Sequence, residues 1–119
     1  METNRTSAAR KDGRTEKKMS VKIESENRTV VAYLEGEIDH HTAPEMRAAI
    51  DEAIEKNMPY CLVLDFGGVG FMDSSGIGLI MGRYKAARKY GGEVHIMNAS
   101  PQLAKVMRIS GIKKLAKID

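Results

Sequence analysis

The residues able to do chemistry in this 119-residue chain are concentrated in Phe71-Met72-Asp73-Ser74-Ser75-Gly76-Ile77-Gly78. Two hydroxyls, a carboxylate and two glycines share one junction there. A second group is Gly36-Glu37-Ile38-Asp39-His40-His41-Thr42, and Cys61 and His95 stand apart. The catalytic patterns these residues could form are incomplete. Asp73-Ser74-Ser75-Gly76 is not the G-x-S-x-G elbow of a serine hydrolase, and neither a G-x-G-x-x-G nor a G-x-x-x-x-G-K-[ST] loop offers a phosphate cradle. His40 and His41 are adjacent instead of four apart, with no cysteine or third histidine near, which argues against a metal site. Asp73 lacks the paired acidic residues and the later lysine that a phosphoacceptor carboxylate uses. The pattern points to a non-enzyme without metal or cofactor.

What remains is a hydroxyl at a helix start beside loop carboxylates. Such a group is a good substrate and a poor catalyst. A phosphoryl group placed there adds about −1.5 to −2 charges. A helix N-terminus accommodates negative charge, so the effect would fall on a binding partner.

The elements that must position this hydroxyl follow from periodicity. Cys61-Leu62-Val63-Leu64-Asp65-Phe66 is a nearly continuous apolar run, as in a strand buried on both faces, with Cys61 a small core residue; Gly67, Gly68 and Gly70 suggest a loop after it. Ile77, Ile80, Met81 and Tyr84 then recur at helical spacing, predicting a helix to about Tyr90 with Ser74 and Ser75 at its cap. Upstream, Val21–Ser25 alternates apolar and polar, Glu26-Asn27 makes a turn, and Arg28–Leu34 is a second strand, together a hairpin. Gly36 leaves that strand. Thr42, Pro44 and Glu45 form the start of a helix with a capping box, and Met46, Ala49, Ile50, Ala53 and Ile54 continue it. Downstream, Glu93–Met97 is a strand, with His95 a structural residue inside it. Ser100-Pro101 opens a helix to about Ile109 with Leu103, Val106 and Met107 on its apolar face, and Leu115–Ile118 is a last strand.

The order is strand, strand, helix, strand, helix, strand, helix, strand: an α/β domain with a mostly parallel sheet of about five strands, an N-terminal hairpin and three helices. In such sheets the functional loops lie beyond the carboxyl ends of the strands. The segments 36–42 and 67–76 are therefore expected side by side.

Composition limits the partners. The formal net charge of +3 lies in residues 1–18, a basic stretch without Leu, Ile, Val, Phe or Tyr that reads as a disordered tail. From residue 19 onward acidic and basic residues balance, and the chain has two Phe, four Tyr and no Trp, which argues against direct nucleic-acid binding. No apolar run reaches the ~20 residues of a membrane span, and one cysteine forms no intrachain disulfide. A cytoplasmic protein is expected.

The segments Gly36–Ala43 and Phe71–Gly78, extended by Gly82-Arg83-Tyr84-Lys85, resemble the STAS-domain family of bacterial anti-sigma factor antagonists. The resemblance runs from about residue 19 to 119. It implies an antagonist that binds an anti-sigma factor with serine kinase activity, frees the sigma factor, is phosphorylated by that kinase and is reset by a serine phosphatase. Matched residue by residue, the phosphoacceptor is Ser74, and Gly36, Asp39, His40, Asp73, Ser74, Ser75, Gly76 and Ile77 face the partner. His40-His41 and Gly82–Lys85 resemble the sporulation branch; an antagonist in a general stress-response switch, or a STAS sensor binding a nucleotide or lipid, are the other readings. The family usually carries a final helix after the last strand. Ending at Asp119, the chain would either lack that helix, leaving an apolar strip that favours self-association, or differ by one strand from the count above; a monomer or weak dimer is expected.

Overall fold

Strand β1 (Val21–Glu26) and strand β2 (Thr29–Ile38) form an antiparallel hairpin in the computed structural model, which describes residues 20–119. The basic stretch 1–18 lies outside the described residues. The turn is Asn27-Arg28, one residue later than the sequence suggests, and both residues have positive φ (53° and 61°). That is the two-residue connection whose twist matches the flanking strands. A left-handed Arg28 is unfavourable in isolation. It is held by hydrogen bonds from its Nε and Nη2 to the Met58 carbonyl (3.1 and 2.7 Å) and by its guanidinium lying 3.7 Å from the centre of the Tyr60 ring.

Helix α1 (Ala43–Asn57) leads to β3 (Cys61–Met72), α2 (Ser74–Arg88), β4 (Glu93–Met97), α3 (Pro101–Ile109), a 3-10 turn at Ile112–Lys114 and β5 (Lys117–Ile118). The sheet order is β1-β2-β3-β4-β5, parallel except for the first pair. The expected order of elements and mostly parallel five-stranded sheet are observed.

Burial of β3 differs from the expectation. Leu62, Leu64 and Phe66 are buried, whereas Cys61, Val63 and Asp65 are half-buried, so the strand packs helices on one face only. The same alternation runs through Val30, Ala32 and Leu34 of β2 and Val94 and Ile96 of β4. Cys61 is therefore not a core residue; partial burial first, and Glu93 second, push its thiol pKa up. His95 shares the less buried face, with Nε2 3.1 Å from Glu93 Oε1.

The glycines after Phe66 do not end the strand. Gly68 pairs with Glu35 at a register shift in β2, and a Cβ on Gly68 would meet the Leu34 carbonyl oxygen at 3.0 Å. Glycine there permits close approach of two backbones at a bulge. Gly36, at φ +88°, sits in the same irregular stretch, so β2 continues through it to Ile38 instead of ending there.

Helix α2 is rotated from its predicted stripe. Gly76, Leu79, Ile80, Arg83 and Ala87 are buried, Ile77 and Tyr84 are half-buried, and Met81 is 40% exposed. A Cβ at Gly76 would approach Met72 Sδ to 2.6 Å, so this face of the helix must turn toward β3. In α3, Leu103, Ala104 and Met107 are buried while Val106, predicted on the apolar face, is exposed. No helix of the described residues is long and apolar enough to cross a membrane.

Candidate functional site

Parallel pairing of β2 and β3 brings the two motif segments together. Glu37 pairs with Phe71 and Ile38 with Met72, and the Asp73 amide donates to the Ile38 carbonyl at 3.0 Å. Both loops thus leave the sheet at the carboxyl ends of neighbouring strands, as expected of this topology.

The first loop is organised by Asp39 and Thr42. Asp39 Oδ1 accepts from the amides of His41 (2.9 Å) and Thr42 (3.1 Å). Thr42 Oγ1 accepts from the Asp39 amide (3.0 Å) and donates to the Glu37 carbonyl (2.8 Å). Thr42 occupies the N-cap position of α1, but its hydroxyl makes no cap bond, so the expected capping box is replaced by this loop network. The amides of His41 and then Thr42 hold the Asp39 carboxyl below its ordinary range, partial desolvation opposes them, and His41 and His40 add smaller electrostatic help. Asp39 is therefore a fixed anion. His40 and His41 are exposed with ring centres 4.0 Å apart.

The second loop reassigns the cap. Asp73, extended at φ −99° and ψ −164°, is the N-cap of α2, and its Oδ1 accepts from the Ser75 amide at 2.8 Å. Neither serine hydroxyl caps the helix. Ser74 is the first helical residue, is exposed, and its hydroxyl makes no hydrogen bond among the described residues. Ser75 is half-buried, Gly76 packs on Met72, and Ile77 packs against the core. Asp39, His40, Asp73, Ser74, Ser75, Gly76 and Ile77 thus lie on two adjoining segments. Gly36 does not join them: it is inside β2, opposite Val69.

A cleft of about 380 Å³ opens between α1 and α2, lined among others by His40, Arg47, Ser75, Gly78, Gly82 and Arg83. A larger depression of about 690 Å³ lies over the hairpin turn, lined by residues such as Glu24, Glu26 and Asn27, and contains none of the motif residues. Arg83 is 7% exposed and its Nε lies 2.9 Å from Asp51 Oδ1 on α1, an ion pair without the angular geometry of a hydrogen bond. Burial lowers the Arg83 pKa, Asp51 opposes that shift, and the like charge of Arg47 adds to it. Arg47, Arg83 and the exposed Phe71 and Met81 were not singled out as partner-facing by the sequence. A cation inside an otherwise apolar helical stripe was the signal available for Arg83.

The family model for the STAS domain matches residues 20–119. The chain belongs to the STAS domain family. The anti-sigma F factor antagonist of Paenibacillus polymyxa is 37% identical over 102 residues, covering 84% of this chain and 87% of that one. Among solved structures, the anti-sigma factor antagonist SpoIIAA in its unphosphorylated form is 33% identical with a TM-score of 0.67, covering 83% of this chain and 86% of that chain. The Bacillus cell fate determinant SpoIIAA in its phosphorylated form is 35% identical with a TM-score of 0.66, covering 83% and 90%. This STAS chain has its adjoining loops at the end of β2 and β3, with Ser74 at the start of α2.

Proposed function

We propose that the chain is an anti-sigma factor antagonist that acts by binding, without catalysis of its own. Its partner is an anti-sigma factor with serine kinase activity, which releases its sigma factor on forming the complex. The kinase then modifies Ser74: Oγ attacks the γ-phosphorus of ATP, the bond to ADP breaks, and the hydroxyl proton passes to a base of the kinase. A serine phosphatase reverses the modification. Relatives named for sigma F favour a role in sporulation transcription over the stress-response branch, and such a switch would operate in the cytoplasm.

One observation carries this reading. The Ser74 hydroxyl is exposed and unbonded among the described residues, on a helix already capped by Asp73. Structural need is thereby removed as the reason for the hydroxyl. A phosphate there would add about −1.5 to −2 charges beside Asp39 and Asp73, and its desolvation under a complementary partner would break the complex. Incubation with the cognate anti-sigma kinase and labelled ATP is expected to label wild type and leave folded Ser74→Ala unlabelled. Equal labelling of the two would remove Ser74 as the acceptor.

A further inference from the structure

Three glycines occupy helix α2, and the fold accounts for only one. Gly76 has Met72 against it. A Cβ on Gly78 or Gly82 would meet nothing within 4 Å. Neither has the left-handed backbone that demands glycine, and each weakens the helix relative to alanine. Gly78 and Gly82 are four residues apart, hence on one face, and both line the cleft between α1 and α2. Their missing side chains make that face a trough.

The trough also carries a cation that is unpaired among the described residues. Arg47 acts on Arg83 as a like charge, while Asp51 is the one carboxylate acting on Arg83 among the described residues. Arg47 is exposed and has no ion-pair partner among the described residues, and His40 stands at the same cleft. An exposed arginine without an ion pair among the described residues thus borders a surface that permits close backbone approach.

We propose that this trough receives an acidic helix of the anti-sigma factor, lying over Gly78 and Gly82 with a carboxylate facing Arg47. The closeness of two packed helices is set by the side chains at the contact, and a glycine pair permits the shortest separation. The inference rests on the antagonist reading and links the cleft to the switch. Ser74 is one helical turn before Gly78 on the same helix face, so a phosphate on Ser74 would add negative charge at the end of the trough and repel an acidic helix.

The test is titration of the cognate anti-sigma kinase with wild type, Gly78→Ala, Gly82→Leu, Arg47→Glu and Arg47→Lys, alongside thermal unfolding of each protein. Gly78→Ala is expected to melt no lower than wild type. Gly82→Leu and Arg47→Glu are expected to lose at least tenfold in affinity, with Arg47→Lys close to wild type. Wild-type affinity in folded Gly82→Leu and Arg47→Glu overturns the docking site while leaving the antagonist reading intact. No kinase binding by wild type overturns that reading and the docking site with it. Sedimentation of the same set exposes the other occupant: a wild-type dimer abolished by Gly82→Leu, with kinase affinity unchanged, would assign the trough to a second copy.

Discussion

The Asp73 amide donates to the Ile38 carbonyl at 3.0 Å, joining β3 to β2 at the residue where each strand gives way to its loop. Asp73 then turns its carboxylate onto the Ser75 amide at 2.8 Å. One residue both closes the sheet and starts α2. Replacing it by alanine keeps the backbone bond and removes the cap, so Asp73→Ala is expected to lose about 1 kcal/mol of stability, the usual value of an N-cap. Asp73→Asn, which still offers an oxygen, should lose much less. Urea unfolding of the two variants checks this; equal losses would mean that charge, not capping, is what the carboxylate supplies.

Gly76 and Gly78 should respond in opposite ways to the same methyl group. At Gly76 the new Cβ would stand 2.6 Å from Met72 Sδ and 3.0 Å from its Cβ and Cγ, atoms in the body of a buried side chain. Overpacking of that kind costs about 1–3 kcal/mol. At Gly78 the space is open, and relief of the helix penalty should raise stability by up to about 1 kcal/mol. Thermal unfolding of Gly76→Ala and Gly78→Ala gives both signs at once.

The order of elements and the meeting of the two loops were legible because apolar spacing and parallel topology are enough to fix them. Local partners were not. Asp73, Ser74 and Ser75 are all good cap residues, and the choice fell on Asp73 because its backbone is extended while Ser74 is already helical. Thr42 stands at a cap position, yet the Asp39 loop takes its hydroxyl. Glycines after Phe66 read as a loop because composition does not show that Gly68 faces a bulge in β2. The α2 stripe was placed by hydrophobicity, but contact of Gly76 with Met72 set the rotation, burying Arg83 and exposing Met81.

Arg83 and Asp51 make a second point of stress. With Arg83 7% exposed but Asp51 36% exposed, Asp51→Ala leaves an enclosed cation without its counterion, a change expected to cost about 1–2 kcal/mol, between the values of a solvent-screened pair and a broken buried one. Replacing both, as Asp51→Leu with Arg83→Met, removes the charge together with its partner and should be much milder. Chemical unfolding of the single and double variants measures the difference. A double variant as unstable as Asp51→Ala would show that packing, not charge, is what Asp51 contributes.

Asp39 should make the first loop sensitive to acid. Its folded-state pKa is lowered below the ordinary value of 3.8 by the His41 and Thr42 amides. A lowered carboxyl contributes stability that is present above 3.8 and is lost as pH falls through the folded value. The stability gap between wild type and Asp39→Asn is therefore expected to be widest above that window and to narrow below it. Urea midpoints of both proteins across the acid range test the sign, and a gap that widens on acidification would contradict it.

Charge at Ser74 should separate folding from binding. Ser74 is the first residue of α2, where a negative side chain meets the positive end of the helix dipole and gains about 0.3–1 kcal/mol. Asp39 and Asp73 stand on the adjoining segments and offset part of that gain. Ser74→Asp is accordingly expected to fold about as stably as wild type. Toward the anti-sigma kinase the same charge has no helix to favour it and must be desolvated beside Asp39, so a loss of at least tenfold, about 1.4 kcal/mol, is expected. Ser74→Asn has nearly the same size without the charge and should bind nearly as wild type. Phosphorylated protein, with about −1.5 to −2 charges instead of one, should bind more weakly than Ser74→Asp. The ranking wild type, Asn, Asp, phosphoserine in kinase affinity, with little change in unfolding midpoint, is what an electrostatic switch requires; equal losses for Asn and Asp would make it a steric one.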